Sequence, residues 1–401
     1  MSDAPQVQPP LRAPPHRDTR HILIVCGLYA AVLGGGIGIG WLFHAGCAAR
    51  PEPRTIIVHD PEKRYPLAAA EEFPWTEQPY PAFPIPPYAQ HLKGVVVVLD
   101  PGHIGQSEKG RGADWKRGPT GLREQEPNLR VTQHLREFLA AAGARVILTR
   151  ERDIPGTRSD AEDLADRARI ANEAQADLLV SIHHNAADNA AANFTTVYFH
   201  SDANASPASL DAARYLVQGI GDALRLERHV PDPIRTDLTL YKNGFGVLRQ
   251  TRVPAVLCES SFHSNAEEEE RLRDPVYNRR EAYGMFLGIA RWAQMGLPRV
   301  QLVSPEDGSA ARGDTVVIQL DDGLTRRDGK GPGATRILPA SLRIELDGRP
   351  LARESLDRPR GRLAVKIPPD APTGEVTLFV DFENLYGQHV LHPVIELNIA
   401  R

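Results

Sequence analysis

The 401-residue sequence predicts an α/β domain with a largely parallel sheet over residues 93–296. A β-sandwich of the immunoglobulin-like kind is expected over 297–401, and a transmembrane helix near the amino end. Three observations predict this. The apolar runs Val95–Leu99, Leu178–Ile182 and Val253–Cys258 read as strands buried on both faces, with amphipathic helical patterns between them. These runs lead into ionisable residues, His103, His183 and Glu259. After Gly296 the pattern changes to short alternating or β-branched runs parted by turns such as Asp347-Gly348, the spacing of a sandwich.

Before residue 93 the chain has a different character. Residues 1–21, with Arg12, Arg17 and Arg20, read as a disordered cytoplasmic tail. Residues 22–44 carry no charge, and such a run is long enough to cross a bilayer as a helix. Basic residues precede the run and none follows until Arg50, which favours an inside amino end and an exported remainder. A lipoprotein signal ending at Ala45-Gly46-Cys47 and signal-peptide cleavage near Ala49 are the two alternatives. All three place the functional part in the cell envelope, outside the cytoplasm. Residues 45–92 form a proline-rich spacer, including Pro79, Pro81, Pro84, Pro86 and Pro87, that favours polyproline II at about 3 Å per residue. Residues 50–75 read as a loose tether, and Trp75, Tyr80, Phe83 and Tyr88 as candidates to pack on the domain beyond.

Composition excludes several classes. A net charge of -4 without long like-charge blocks offers nothing to nucleic acid. Three cysteines build no disulfide framework, and Cys258 reads as a small core hydrophobe. There is no zinc-finger spacing and no Walker or dinucleotide-binding glycine pattern.

Within the α/β part, the first strand stops at Asp100-Pro101-Gly102 and delivers His103 to the strand's carboxyl end. In open α/β sheets that edge is where ligands bind. A glycine-rich loop, Gly105–Gly121, then leads to Glu124 and Glu126, beside a helix start marked by Pro127. Complementation of the helix dipole would alone explain both glutamates. Leu135, Phe138, Leu139 and Ala142 mark that helix's apolar face and Gly143 its stop. Arg145–Leu148 is a strand, Leu164, Ala168 and Ala171 lie on the next helix, and Asp177–His183 is a second buried strand ending in His183-His184-Asn185. Because strand neighbours point to opposite faces, only one of those two histidines can look into a shared site. Thr196–Phe199 reads as a further strand, Leu210–Leu224 and Asp274–Gln294 as helices, and His134, His200, His229 and His263 as surface or loop residues.

Four segments carry a resemblance. Leu99-Asp100-Pro101-Gly102-His103, Gly121-Leu122-Arg123-Glu124, Ser181-Ile182-His183-His184-Asn185 and Pro254–Asn265 together resemble the signature segments of zinc-dependent N-acetylmuramoyl-L-alanine amidases, over residues 93–295. The resemblance implies a mixed six-stranded sheet with flanking helices. It implies peptidoglycan as substrate, with hydrolysis of the amide between N-acetylmuramic acid and the L-alanine of the stem peptide. It also implies Zn2+ held by His103, Glu124 and His183, with Glu259 as the catalytic glutamate. Glu124 is taken over Glu126 because it stands five residues before Leu129, and His183 over His184 because it directly follows Ser-Ile. Two imidazoles and one carboxylate leave one tetrahedral zinc position open, as catalysis requires. Asp100 either orients a ligand or caps its loop.

Two positions depart from the family pattern. His184 stands where a small residue is usual, with crowding of the site, substrate binding or a metal contact as its three readings; Ser261, in Ser260-Ser261, bears on the placement of Glu259. A zinc peptidase acting on wall peptides and a catalytically weak wall-binding scaffold are the competing functions. The expected partners are peptidoglycan, the membrane through the amino-terminal segment, and a wall contact or protein activator through the C-terminal domain.

Overall fold

The computed structural model describes residues 83–103, 116–153, 159–202, 206–226, 230, 232–329 and 331–400. The expected tail, the membrane-spanning stretch and the spacer through residue 82 lie outside the described residues, as does His229. Among those described, no helix is long and apolar enough to cross a membrane.

In chain order the α/β part comprises β1 (Val96–Pro101), α1 (Gln125–Ala141), β2 (Arg145–Leu148), α2 (Asp160–Glu173), β3 (Leu178–Asn185) and β4 (Thr196–Phe199). It continues with α3 (Ala208–Leu224), β5 (Ile234–Thr236), α4 (Gly246–Gln250), β6 (Ala255–Phe262), α5 (Ala266–Arg273) and α6 (Pro275–Gln294). The six strands make one sheet in the order β2-β1-β3-β6-β4-β5. The first four are mutually parallel, β4 runs antiparallel to β6, and β5 is parallel to β4. The sheet is mixed and mostly parallel.

Alternation along the strands explains the layers. Val97, Leu99, Val180, Ile182, Val256 and Cys258 pack with α1, α3 and α6, whereas Val98, Leu179, Ala255 and Leu257 pack with α2 and α4. Strands covered on both faces must be apolar throughout, which is why the three central runs stand out in the sequence. Helix α2 opens with a capping box in which Ser159 and Glu162 each satisfy the other's backbone N–H, and α6 opens on Asp274 followed by Pro275. Helices α3 and α6 touch through glycines: a Cβ on Gly288 would lie 2.6 Å from the Tyr215 carbonyl oxygen.

Residues 83–92, read as the end of the spacer, are packed on the α/β core. Phe83 lies against Phe138 and Tyr283, with ring centroids 5.9 and 5.0 Å away, and the Tyr283 hydroxyl donates to the Pro84 carbonyl at 2.7 Å. A 3-10 turn over Pro87–Leu92 buries Ala89 and Leu92. Proline content alone predicts an extended tether; the apolar residues spaced between the prolines supply the burial that holds this end down.

After α6 come β7 (Arg299–Ser304), β8 (Ser309–Ala310), β9 (Thr315–Asp321), β10 (Arg343–Leu346), β11 (Arg349–Pro350), β12 (Arg353–Asp357), β13 (Arg362–Lys366), β14 (Gly374–Asp381) and β15 (Val394–Ile399). They form a five-stranded sheet, β11-β10-β14-β15-β8, and a four-stranded sheet, β12-β13-β9-β7. Ile318, Leu363 and Val365 from one sheet share a core with Ile344, Leu378 and Leu397 from the other. This β-rich part is tied to the α/β part. The backbone N–H of His389 donates to Asp211 of α3 at 2.7 Å, Arg299 pairs with Asp177 at 2.8 Å, and Arg327 donates to the last carbonyls of α6.

Candidate metal centre

Strands β1, β3 and β6 are adjacent and parallel, so their carboxyl ends share one edge. His183 and Glu259 are direct register partners across β3 and β6. Just past β1, His103 sits in the left-handed region at φ 60°, which turns its ring back toward β3. Glu124 stands at the amino end of α1 and is buried. One ligand atom from each of His103, Glu124 and His183 lies within 4.8 Å of the other two. His103 Nε2 is 3.0 Å from Glu124 Oε2, and His183 Nδ1 is 3.1 Å from Glu124 Oε1. Glu126, the other glutamate of the pair, instead meets Arg123 at 2.7 Å on the surface.

A buried polar frame holds the β1 turn. Asp100 accepts from Thr149 Oγ1 at 2.6 Å, from Ser181 Oγ at 2.7 Å and from Arg167 at 2.7 Å, and so stitches β1 to both neighbouring strands. Arg167 also donates to the Pro101 and His103 carbonyls, and Arg150 to those of Pro101 and Gly102. Asp100 therefore fixes the turn that carries His103 and makes no hydrogen bond to a ring of the trio. Gly102 is required by space: a Cβ there would lie 2.5 Å from His183 Nδ1 and closer still to two other ring atoms.

The loop before α1 is clamped from α5. Glu269 accepts the N–H groups of Thr120 and Leu122 at 2.7 and 2.8 Å, which presents Glu124 to the strand ends. Lys116, on the same loop, brings its Nζ to 3.6 Å from Glu124 Oε2.

The electrostatics separate the two glutamates. Burial pushes the Glu124 carboxyl up, but the charge and hydrogen bond of His103, with His183 and Lys116 adding, hold it well below the ordinary range. Glu259 is pushed well above it, by burial and then by the Glu124 charge, with only Lys116 opposing. The His183 ring is pulled down to about 4, chiefly by burial, so it is a neutral imidazole at pH 7. Glu124 Oε2 is buried and is met by the ion pairs to His103 and Lys116, and Glu259 Oε2 is buried and makes no hydrogen bond. A cation among the trio satisfies the first of these, and a donor set of two imidazole nitrogens and a carboxylate suits zinc while leaving a fourth position for substrate. The residues present fit the metal.

The two departures are resolved geometrically. His184 is buried with its ring turned away from the trio, Nδ1 on Asn128 Oδ1 at 2.7 Å and Nε2 on Glu281 Oε2 at 3.1 Å. It neither crowds the cluster nor joins it. Ser260-Ser261 sits where the β3–β6 register shifts, β6 carrying one residue more than β3 between its pairs at Glu259 and Phe262. Two further histidines lie in loops, as expected, but are buried. His200 is buried against Asp237 at 2.9 Å, and His263 is buried with Nδ1 on the His184 carbonyl at 2.8 Å. Asn128, Arg150, Arg167, Glu269 and Glu281 went unassigned from the sequence. Only Arg150, two residues past the end of β2 on the ligand edge, carried a local signal.

Fold and cluster together define an α/β domain with a candidate metal-binding edge. Residues 97–291 match the Amidase_3 family of N-acetylmuramoyl-L-alanine amidases. The germination-specific N-acetylmuramoyl-L-alanine amidase of Bacillus subtilis is 29% identical over 214 residues, covering 51% of this chain and 83% of that protein. The probable cell wall amidase LytH of Staphylococcus epidermidis is 31% identical over 186 residues, covering 46% and 54%. The amidase AmiC of Escherichia coli is 27% identical over 242 residues, covering 51% and 54%. The chain thus spans about half the length of the latter two. Among solved structures, AmiC2 of Nostoc punctiforme is 26% identical with a TM-score of 0.41, covering 50% of this chain and 99% of that one.

Proposed function

We propose that the chain is a zinc-dependent peptidoglycan hydrolase that cuts the amide between the lactyl group of N-acetylmuramic acid and the first L-alanine of the stem peptide. One observation carries the zinc reading: two imidazoles and a carboxylate, delivered by three separate elements, converge within 4.8 Å at the end of a parallel sheet. His103, Glu124 and His183 would hold the metal. When bound, zinc polarises the scissile carbonyl and acidifies water at the open position. Glu259 is the proton carrier. Its raised proton affinity matches it to take a proton from the attacking water and hand it to the departing alanine amine, so the amide C–N bond breaks without expelling an anionic nitrogen. Arg150, Arg167 and Asp100 keep the His103 turn rigid while this happens.

The same reading puts the domain in the cell envelope, held to the membrane by residues 22–44, with the β-rich part as an accessory module. The test uses the purified full-length chain on peptidoglycan sacculi. Turnover stops on chelation and returns with zinc, and Glu259→Gln keeps one zinc per chain while kcat falls about 10²-fold or more. Turnover that survives chelation, or a fully active Glu259→Gln enzyme, would overturn it.

A further inference from the structure

We propose that His184, Asn128 and Glu281 form a buried positioning relay that holds the Glu124 carboxylate in place for the metal. The inference rests on the zinc reading given above. Asn128 Nδ2 faces two acceptors, the Gly102 carbonyl at 3.3 Å and Glu124 Oε1 at 3.4 Å. Its Oδ1 therefore faces His184, and His184 Nδ1, 2.7 Å away, must be the donor. The opposite ring nitrogen meets Glu281 Oε2 at 3.1 Å. The backbone N–H of His184 adds a second bond to Glu124 Oε1, at 3.2 Å. The chain of contacts runs from α6 through β3 to α1. It leaves the Asn128 amide one orientation, with its N–H toward Glu124.

Stability does not explain the arrangement. Glu281 is fully buried and its Oε1 makes no hydrogen bond, which is an expensive way to fill a core. An apolar pair of similar volume generally serves folding as well or better. What an apolar pair would lose is control of Asn128: without a donor at His184, the amide can turn its oxygen toward the Glu124 carboxylate. Partners behind a metal ligand typically carry about 10- to 100-fold in metal affinity. His184 and Asn128 are thus positioning residues, and the histidine that departs from the family pattern is the centre of the relay.

The test measures zinc affinity of the purified full-length chain by chelator competition, with the melting temperature of each metal-free protein alongside. His183→Ala serves as the control that removes a ligand. His184→Leu combined with Glu281→Leu removes the relay without leaving an unpaired buried charge, and is expected to bind zinc about tenfold more weakly. His184→Asn in the Glu281→Leu background restores a donor at the Nδ1 position and is expected to recover most of that loss. A folded double-leucine variant with wild-type affinity, or no recovery with asparagine, overturns the relay. Wild-type protein that binds zinc no better than His183→Ala overturns the zinc reading itself, and the relay with it.

Discussion

Replacing Gly102 by alanine adds one methyl group where the structure has no room for it. The residue is not in the left-handed region, so backbone strain plays no part and space alone decides. A Cβ would lie 2.2 Å from His183 Cε1, against an ordinary contact of 3.4 Å or more, so the ring must retreat by about 1.2 Å (3.4 − 2.2). The ring cannot swing freely, because Glu124 holds it from one side and His103 packs edge-on at 4.8 Å from the other. Displacements of about 1 Å in a catalytic constellation cost on the order of 10²-fold in rate. Overpacking of this kind also costs about 1–3 kcal/mol of stability. We expect Gly102→Ala to stay folded with a lowered Tm, to bind zinc more weakly, and to lose about 10²-fold in kcat. Zinc stoichiometry, a thermal melt and a turnover assay on sacculi read the three effects. A variant with wild-type zinc content and turnover would show that His183 is not held where the account needs it.

Three further outcomes follow from the same frame. Arg167→Leu leaves Asp100 buried without its charged partner and should cost about 3–5 kcal/mol, read as a shifted urea midpoint. Burial pushes the Asp100 carboxyl up, but the Arg167 charge and the Thr149 and Ser181 hydroxyls outweigh it and hold it at about 2, below its ordinary 3.8. That depression contributes about 2 kcal/mol, fully present above pH 3.8 and lost as the pH falls toward 2, so urea titrations of Asp100→Asn should show a flatter acid slope than wild type. Gly284→Ala drives a methyl into Ala223 and the Gly219 carbonyl between α3 and α6, and should lower stability by about 1–3 kcal/mol while the folded enzyme keeps its specific activity.

How far the sequence reveals this molecule depends on the range of each interaction. β1, β3 and β6 are legible because burial on both faces forces an unbroken apolar run, and the polar residue after each run marks the ligand edge. Strand alternation alone says that one of His183 and His184 faces the cluster, without saying which; the family resemblance makes that choice, and likewise selects Glu124 over Glu126. The supporting frame is not legible. Asp100 and Arg167 are 67 positions apart, and His184 and Glu281 are 97 apart, so no local pattern joins them. His200 and His263 are loop residues, but their burial is not legible because the groups that bury them, Asp237 and the His184 carbonyl, come from other elements. At the end of the spacer the aromatic candidates Phe83 and Tyr88 do pack on the core, whereas Ala89 and Leu92, set among prolines, find their partners only in the folded structure.

The central claim is the bond that is cut. Purified peptidoglycan digested by the full-length chain, with the products identified by mass, tests it most directly. The account predicts intact stem peptides beginning at L-alanine and glycan strands whose muramic acids carry free lactyl carboxylates, released only when zinc is present. Shortened stems still attached to muramic acid would contradict it and make the protein a wall peptidase instead.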